Sequence, residues 1–141
     1  MDQAQTLINH LKLQPHPEGG FYRQTWVDDD ASGRPTGTCI YFMLPAGHSS
    51  HWHKVDAVEI WHFYAGTPLT LRIAEHSDGP AQHITLGPDV LSGQHPQAIV
   101  PKNHWQAATA SDGWALVGCT VSPGFSFQGF TLAPPEFDIP K

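Results

Sequence analysis

Positive charge is scarce in this chain. Lysine and arginine number seven in 141 residues against thirteen aspartates and glutamates, giving a formal net charge of −6. A surface that follows phosphates needs clustered cations. None is present, so neither nucleic acid nor an anionic membrane surface is an expected partner. Long apolar runs are missing too, and nothing approaches the ~20 residues needed to cross a bilayer. Residues 1–13 lack the basic stretch and apolar core of a secretory signal, so a cytoplasmic protein is expected. Only two cysteines occur. Without an export signal, Cys39 and Cys119 read as reduced, small buried hydrophobes rather than a disulfide. There is no internal repeat, low-complexity tract or linker, and residues 1–141 read as one domain with a core of its own.

What is plentiful is punctuation. Thirteen glycines and thirteen prolines are scattered between apolar runs, the distribution of frequent turns between short strands. Leu7, Ile8 and Leu11 recur at helical spacing behind a capping Asp2, which predicts a short N-terminal helix that ends at Gln14-Pro15-His16-Pro17. Strands are then predicted over 21–26, 38–44, 58–64, 69–73, 81–86, 97–100, 105–109 and 114–121, with a polar turn over 28–33. Eight short strands in this rhythm indicate an all-β sandwich or barrel. The proline-rich tail from Ala133 is expected to pack along the outside or on a neighbour.

Histidine is the compositional outlier, with ten copies. At that frequency chance alone supplies about 0.7 His-x-His pairs, so one pair proves nothing by itself. The pair His51 and His53 nevertheless lies in a β-prone segment, where residues two apart share a face and converge on one point. Glu59 opens the following strand, with Trp61 and Phe63 on its face, and the short connection at 54–57 brings its carboxylate toward the imidazoles. Two histidines and one carboxylate with open positions suit Fe(II), and also Mn, Ni or Zn.

These residues resemble the first cupin motif, in which a glycine precedes His-x-His, then a glutamate, then a glycine after six residues. His51, His53, Glu59 and Gly66 match. The spacing from Gly47 to His51 is shorter than usual, and the gap from His53 to Glu59 is one residue longer. In the second cupin motif Pro101 fits. Asn103 stands at the glycine position, where it tolerates positive φ, and Gln106 stands at the histidine position. An amide oxygen is a weaker ligand than imidazole, and His104, two residues earlier, is an alternative. The strings Pro15-His16-Pro17-Glu18-Gly19-Gly20-Phe21-Tyr22-Arg23, Thr38-Cys39-Ile40-Tyr41-Phe42 and Glu59-Ile60-Trp61-His62-Phe63-Tyr64-Ala65-Gly66 resemble a narrower group. This is the cupin family formerly called a domain of unknown function, related in fold to deoxysugar-nucleotide epimerases. The resemblance spans roughly residues 7–132. It implies a double-stranded β-helix, the jelly-roll barrel, that usually dimerises, so a homodimer is expected. It implies no established reaction.

The expected site therefore has His51, His53, Glu59 and Gln106 as metal ligands for a divalent Fe, Mn, Ni or Zn, or no metal at all, with Glu59 or His53 as the catalytic base. Arg23 is either a clamp for a substrate anion or an exposed strand residue. Tyr41 is either a proton donor or structural. Trp61 and Trp105 either wall the pocket or fill the core. His10, His16, His76, His83 and His95 read as surface residues. The leading functional expectation is a small-molecule pocket of the isomerase or epimerase type, acting on a sugar or other hydroxy-carbonyl compound. The rivals are a metal-dependent oxygenase, a non-enzymatic metabolite-binding module and a structural dimer with a vestigial site.

Overall fold

The N-terminal helix is set by its cap and one apolar stripe. In the computed structural model, which describes residues 2–28 and 33–141, α1 runs Gln3–Leu11, and the Asp2 carboxylate accepts from the Gln5 N–H at 2.7 Å. Such a cap satisfies one of the otherwise unpaired first-turn donors. Ala4 and Ile8 are buried, and Ile8 packs with Leu13 and Met43 on the barrel, flanked by Leu7 and Leu11. The helix stops earlier than the prolines suggest. Lys12 adopts a left-handed conformation, with φ 58°, and the Leu13 N–H returns to the Ile8 carbonyl at 2.9 Å, a common helix ending.

Eleven strands follow: β1 Gln14–Pro15, β2 Phe21–Val27, β3 Thr38–Leu44, β4 Ser49–Val55, β5 Val58–Gly66, β6 Leu69–Ala74, β7 Gln82–Leu86, β8 Gln97–Val100, β9 Trp105–Thr109, β10 Ala115–Ser122 and β11 Phe130–Leu132. They form two sheets, in the orders β1-β2-β3-β10-β5-β8 and β11-β4-β9-β6-β7, with these pairings antiparallel. All eight strands expected from the sequence are present, within a residue or two at most ends. Three further strands are not among the eight: β1 and β11, two and three residues long, carry too short a pattern to be read in advance, and β4, which holds the His51 and His53 pair read as β-prone, lacks the apolar run that marks the others. Of the polar turn at 28–33, residues 29–32 lie outside the described residues.

The sheets face each other across a core that includes Phe42, Leu44, Trp61, Leu71, Leu86 and Val117. Burying side chains of this size contributes roughly 1.5–3 kcal/mol each. The opposite face of the five-stranded sheet is covered by the tail. Ala133 and Ile139 bury with Trp52, Phe137 lies 4.9 Å from Trp105 between ring centres, and the Trp52 indole donates to Asp138 at 2.8 Å. Cys39 and Cys119 are free thiols. They sit on paired strands but opposite Thr120 and Ile40 respectively, one on each face.

Candidate active site

One irregularity decides what faces the interior. In the pairing of β4 with β9, Ser50 lies opposite Ala108 and His53 opposite Gln106, so three residues of β4 span two of β9. This is a β-bulge, which adds a residue and resets the alternation of side chains. Ser50 and His53 therefore both turn inward, and Trp52 and His53 are both buried although adjacent. The expectation that His51 and His53 share a face is corrected by this extra residue. The His51 ring points away to the tail, its Nε2 2.8 Å from the Pro134 carbonyl.

The bulge also anchors a second segment. The His51 backbone N–H donates to the Glu18 carbonyl at 2.7 Å. That contact holds the loop between β1 and β2, where Pro15 and Pro17 favour extended backbone and two glycines follow. Gly20, at φ +77°, lies so close to the core that a Cβ there would stand 2.8 Å from the Phe42 ring and 2.9 Å from the Met43 carbonyl. Only glycine tolerates both constraints. The loop closes with the His16 N–H on the Gly20 carbonyl and the Gly19 N–H on the His16 carbonyl, both at 3.0 Å. His16 and Glu18, on either side of Pro17 in this tight turn, are thereby delivered into the barrel.

A cavity of about 140 Å³ opens between the sheets. His16, Glu18, His53 and Glu59 are its ionisable lining apart from Tyr22 and Cys119, and its walls include Phe42, Val55, Trp61 and Phe125. The Glu18 carboxyl stands between two imidazoles, its Oε1 3.3 Å from His16 Nδ1 and 3.4 Å from His53 Nε2. Both ring nitrogens turn lone pairs toward it. His53 Nδ1 is 2.7 Å from the His51 carbonyl, which can only accept, so Nδ1 carries the ring proton and Nε2 is bare. His16 Nδ1 accepts from the Glu18 N–H at 3.2 Å. A carboxylate has little to accept here, whereas a carboxylic acid has the bare His53 Nε2 as an acceptor within reach. Burial, only partly offset by the Ser50 hydroxyl, pushes Glu18 up to about 8. Burial, with His53 nearby, drives His16 down to about 4, and burial lowers His53 despite the opposing pull of Glu59.

Glu59 enters from β5, and its Oε1 accepts from Gln106 Nε2 at 2.9 Å. The Gln106 oxygen is taken by the Trp61 indole N–H at 2.8 Å. The indole thus fixes which way the amide points, and the amide donates to Glu59. Burial pushes Glu59 up to about 7, with His53 pulling the other way. Burial thus favours the protonated carboxyl at Glu18, neutral imidazoles and a raised carboxyl at Glu59, the kind of poise that general acid–base chemistry uses.

Of the residues singled out from sequence, His53, Glu59 and Trp61 line this cavity, and Gln106 lies directly behind Glu59. Arg23 and Tyr41 face the other side of the six-stranded sheet, with the guanidinium 5.6 Å from the Tyr41 ring centre. Their neighbours Tyr22, Gln24, Ile40 and Phe42 line the cavity instead. Trp105 sits on the outer face with Phe137 and Lys54. His104 is half-buried outside the cavity, near the Lys102 carbonyl. His16, expected on the surface, is 9 % exposed. The signal for it was the flanking Pro-x-Pro ahead of Glu18-Gly19-Gly20, a turn-forming segment with no apolar alternation.

The proposed metal set does not fit this arrangement. His51 is directed at Pro134, Gln106 is committed to Trp61 and Glu59, and among the described residues no group of three or more His, Cys, Asp or Glu is arranged to hold a metal ion.

Two facing antiparallel sheets with a polar cluster inside the barrel define a cupin. The chain belongs to the family described as Cupin superfamily (DUF985), which matches residues 5–133. It is 40% identical to protein SO0799 of Shewanella oneidensis, whose solved structure superposes with a TM-score of 0.86 over 94% of this chain and 85% of that one. It is 26% identical to the uncharacterized protein YML079W of Saccharomyces cerevisiae, over 96% of this chain and 77% of the relative. A structure of Bacillus subtilis oxalate decarboxylase, 15% identical, shares the fold with a TM-score of 0.66 over 84% of this chain and 29% of the enzyme. Among the described residues, no helix is long and apolar enough to cross a membrane.

Proposed function

We propose that this cupin binds a small hydroxy-carbonyl compound inside its barrel and moves a proton on the carbon next to the carbonyl, as an isomerase or epimerase does. The observation that carries this reading is the buried Glu18 carboxyl held between the His16 and His53 rings, at 3.3 and 3.4 Å, with Glu59 lining the same cavity. The ionised fraction of Glu59 takes the α-proton, its free pair steadied by the Gln106 amide. Glu18 gives its proton to the carbonyl oxygen, which prevents full negative charge from developing there. His53 Nε2 is positioned to take up the Glu18 proton and return it, because its other nitrogen is pinned by the His51 carbonyl. The enediol collapses when the Glu18 carboxylate takes the proton from one of its two hydroxyls while Glu59 returns its proton to the carbon bearing the other, which gives back the substrate or its isomer.

The aromatic walls also suit a module that binds without turnover, and one experiment separates the two. Glyceraldehyde, dihydroxyacetone and 2-hydroxycyclohexanone are incubated with the protein in D₂O, and loss of α-proton signal is followed by NMR. Exchange above the spontaneous rate, abolished in Glu59→Gln and strongly reduced in Glu18→Gln, is the expected result. Binding without exchange leaves only the binding module, and exchange unchanged in both variants removes the proposed roles.

A further inference from the structure

Among the described residues, the cavity wall contains carboxyls, imidazoles and aromatic rings, but no lysine or arginine. Two arginines come near in sequence or space, and each is engaged elsewhere. Arg23 lies over Tyr41 on the outer face. Arg34 makes a two-pronged contact with Asp56, at 2.7 and 3.0 Å, and donates through Nε to the Gly124 carbonyl at 2.7 Å. Phosphate and carboxylate recognition relies on such forks or on fixed backbone donors. An anion entering here would instead meet two glutamates and two imidazole lone pairs.

The cavity volume sets the size. About 140 Å³ is close to that of an engineered apolar cavity that accommodates benzene, about 150 Å³. A six-membered ring therefore fills it. The carboxyls and imidazoles form one group, Tyr22, Gln24 and Thr38 add separate polar positions, and Phe42, Trp61, Val55 and Val121 supply apolar wall. A free sugar would still lay hydroxyls against these apolar walls, each unpaired polar group weakening binding by roughly tenfold.

We infer that the barrel selects an uncharged, compact ketone or α-hydroxyketone on a five- or six-membered hydrocarbon frame, and rejects phosphorylated, carboxylated and polyhydroxylated relatives. The inference rests on the proton-transfer reading for the carbonyl and narrows it for the rest of the molecule. The carbonyl oxygen accepts from the Glu18 acid, an adjacent hydroxyl reaches Glu59 or His16, and the ring carbons occupy the aromatic wall. Nucleotide-linked sugars, which carry two phosphates, fall outside this class.

The test uses the full chain and paired probes of equal shape. Benzamide and benzoate differ by little but charge, and 2-hydroxycyclohexanone, glucose and glucose 6-phosphate vary the frame. Affinities are measured by calorimetry and ligand-observed NMR at pH 7, with Phe42→Ala as a control that binding is inside the barrel. The expected result is millimolar or tighter binding of 2-hydroxycyclohexanone and benzamide, weakened by Phe42→Ala. Benzoate and glucose 6-phosphate should be weaker by about tenfold or more, and Glu18→Gln, whose amide offers a donor, should narrow the gap between benzamide and benzoate. Equal or tighter binding of benzoate or glucose 6-phosphate overturns the inference, as does failure of every neutral probe to bind. Should Phe42→Ala alter solubility, displacement of one neutral probe by the other in the native chain gives the same location test. α-Proton exchange that prefers dihydroxyacetone phosphate to uncharged hydroxyketones would sink the substrate class while keeping the chemistry. Binding of 2-hydroxycyclohexanone without exchange would do the reverse.

Discussion

Glu18→Gln replaces a buried acid with an amide of nearly equal size, and its effect should depend on pH in a specified way. In the folded chain Glu18 is pushed from 4.5 up to about 8. A carboxyl raised in this way holds its proton in the folded state while the unfolded chain has already lost it. Stability is thus lost as pH rises from the unfolded value toward the folded one, and levels off above it. Between pH 6 and 9 the window covers roughly two pH units, which at 1.36 kcal/mol per unit is about 3 kcal/mol. Glu59 and the histidines titrate in both proteins, so the difference between variant and native chain isolates Glu18. Urea unfolding at pH 6 should give the two proteins stabilities within ~1 kcal/mol, because the amide can donate to an imidazole and accept from Ser50. At pH 9 the variant should have gained about 3 kcal/mol relative to the native chain. Parallel pH profiles for the two proteins would mean that Glu18 is an ordinary carboxylate and that its place between the imidazoles has been misread.

Other consequences are equally concrete. Gln106→Met strips a partner from both the Trp61 indole and the Glu59 carboxyl, and should cost roughly 2–5 kcal/mol in chemical denaturation; a loss under ~0.5 kcal/mol would show that the bridge contributes little. Arg34→Met releases the clasp on Asp56 and the Gly124 carbonyl, which holds the segment bearing Phe125 and Phe127 against the cavity. It should accelerate both association and release of a bound neutral ligand in stopped-flow or exchange NMR while leaving the melting temperature little changed, and unaltered rates would mean the segment does not gate access. Exposed apolar side chains at Trp26, Tyr64 and Ile99 favour the homodimer expected from the sequence, and sedimentation at tens of micromolar should give twice the chain mass rather than the monomer.

Strand positions were legible because turn residues and β-branched or aromatic runs alternate so regularly. Thr38–Leu44 and Trp105–Thr109 match the expected boundaries for that reason. Glu59, Trp61 and Phe63 were legible as one face because β5 is regular through them. His51 was not, since period-two reasoning counts every residue, and the bulge between Ser50 and His53 inserts one without any compositional mark. Arg23 and Tyr41 failed on parity. Both faces of Phe21–Val27 carry mixtures of aromatic and polar residues, and only pairing with β3 decides that Tyr22 and Gln24 look inward. His16 and Glu18 were hidden more deeply. They lie in a short loop, and what brings them into the barrel is a long-range contact, the His51 N–H on the Glu18 carbonyl. Gln106 reads as a weak metal ligand, whereas its amide bridges Glu59 and the Trp61 indole, partners brought to it from a distant strand.

The measurement that reaches the centre of this account is a carbon-13 NMR titration of the Glu18 and Glu59 side-chain carboxyls, recorded with the imidazole signals of His16 and His53. A neutral acid–base cluster requires Glu18 to titrate near 8 and Glu59 near 7, with His16 still neutral until about 4 and His53 below the ordinary histidine value. Carboxyl midpoints in the usual range near 4, paired with His16 or His53 held charged through neutral pH, would contradict it. They would make the cluster a set of buried ion pairs, with no proton on Glu18 to give.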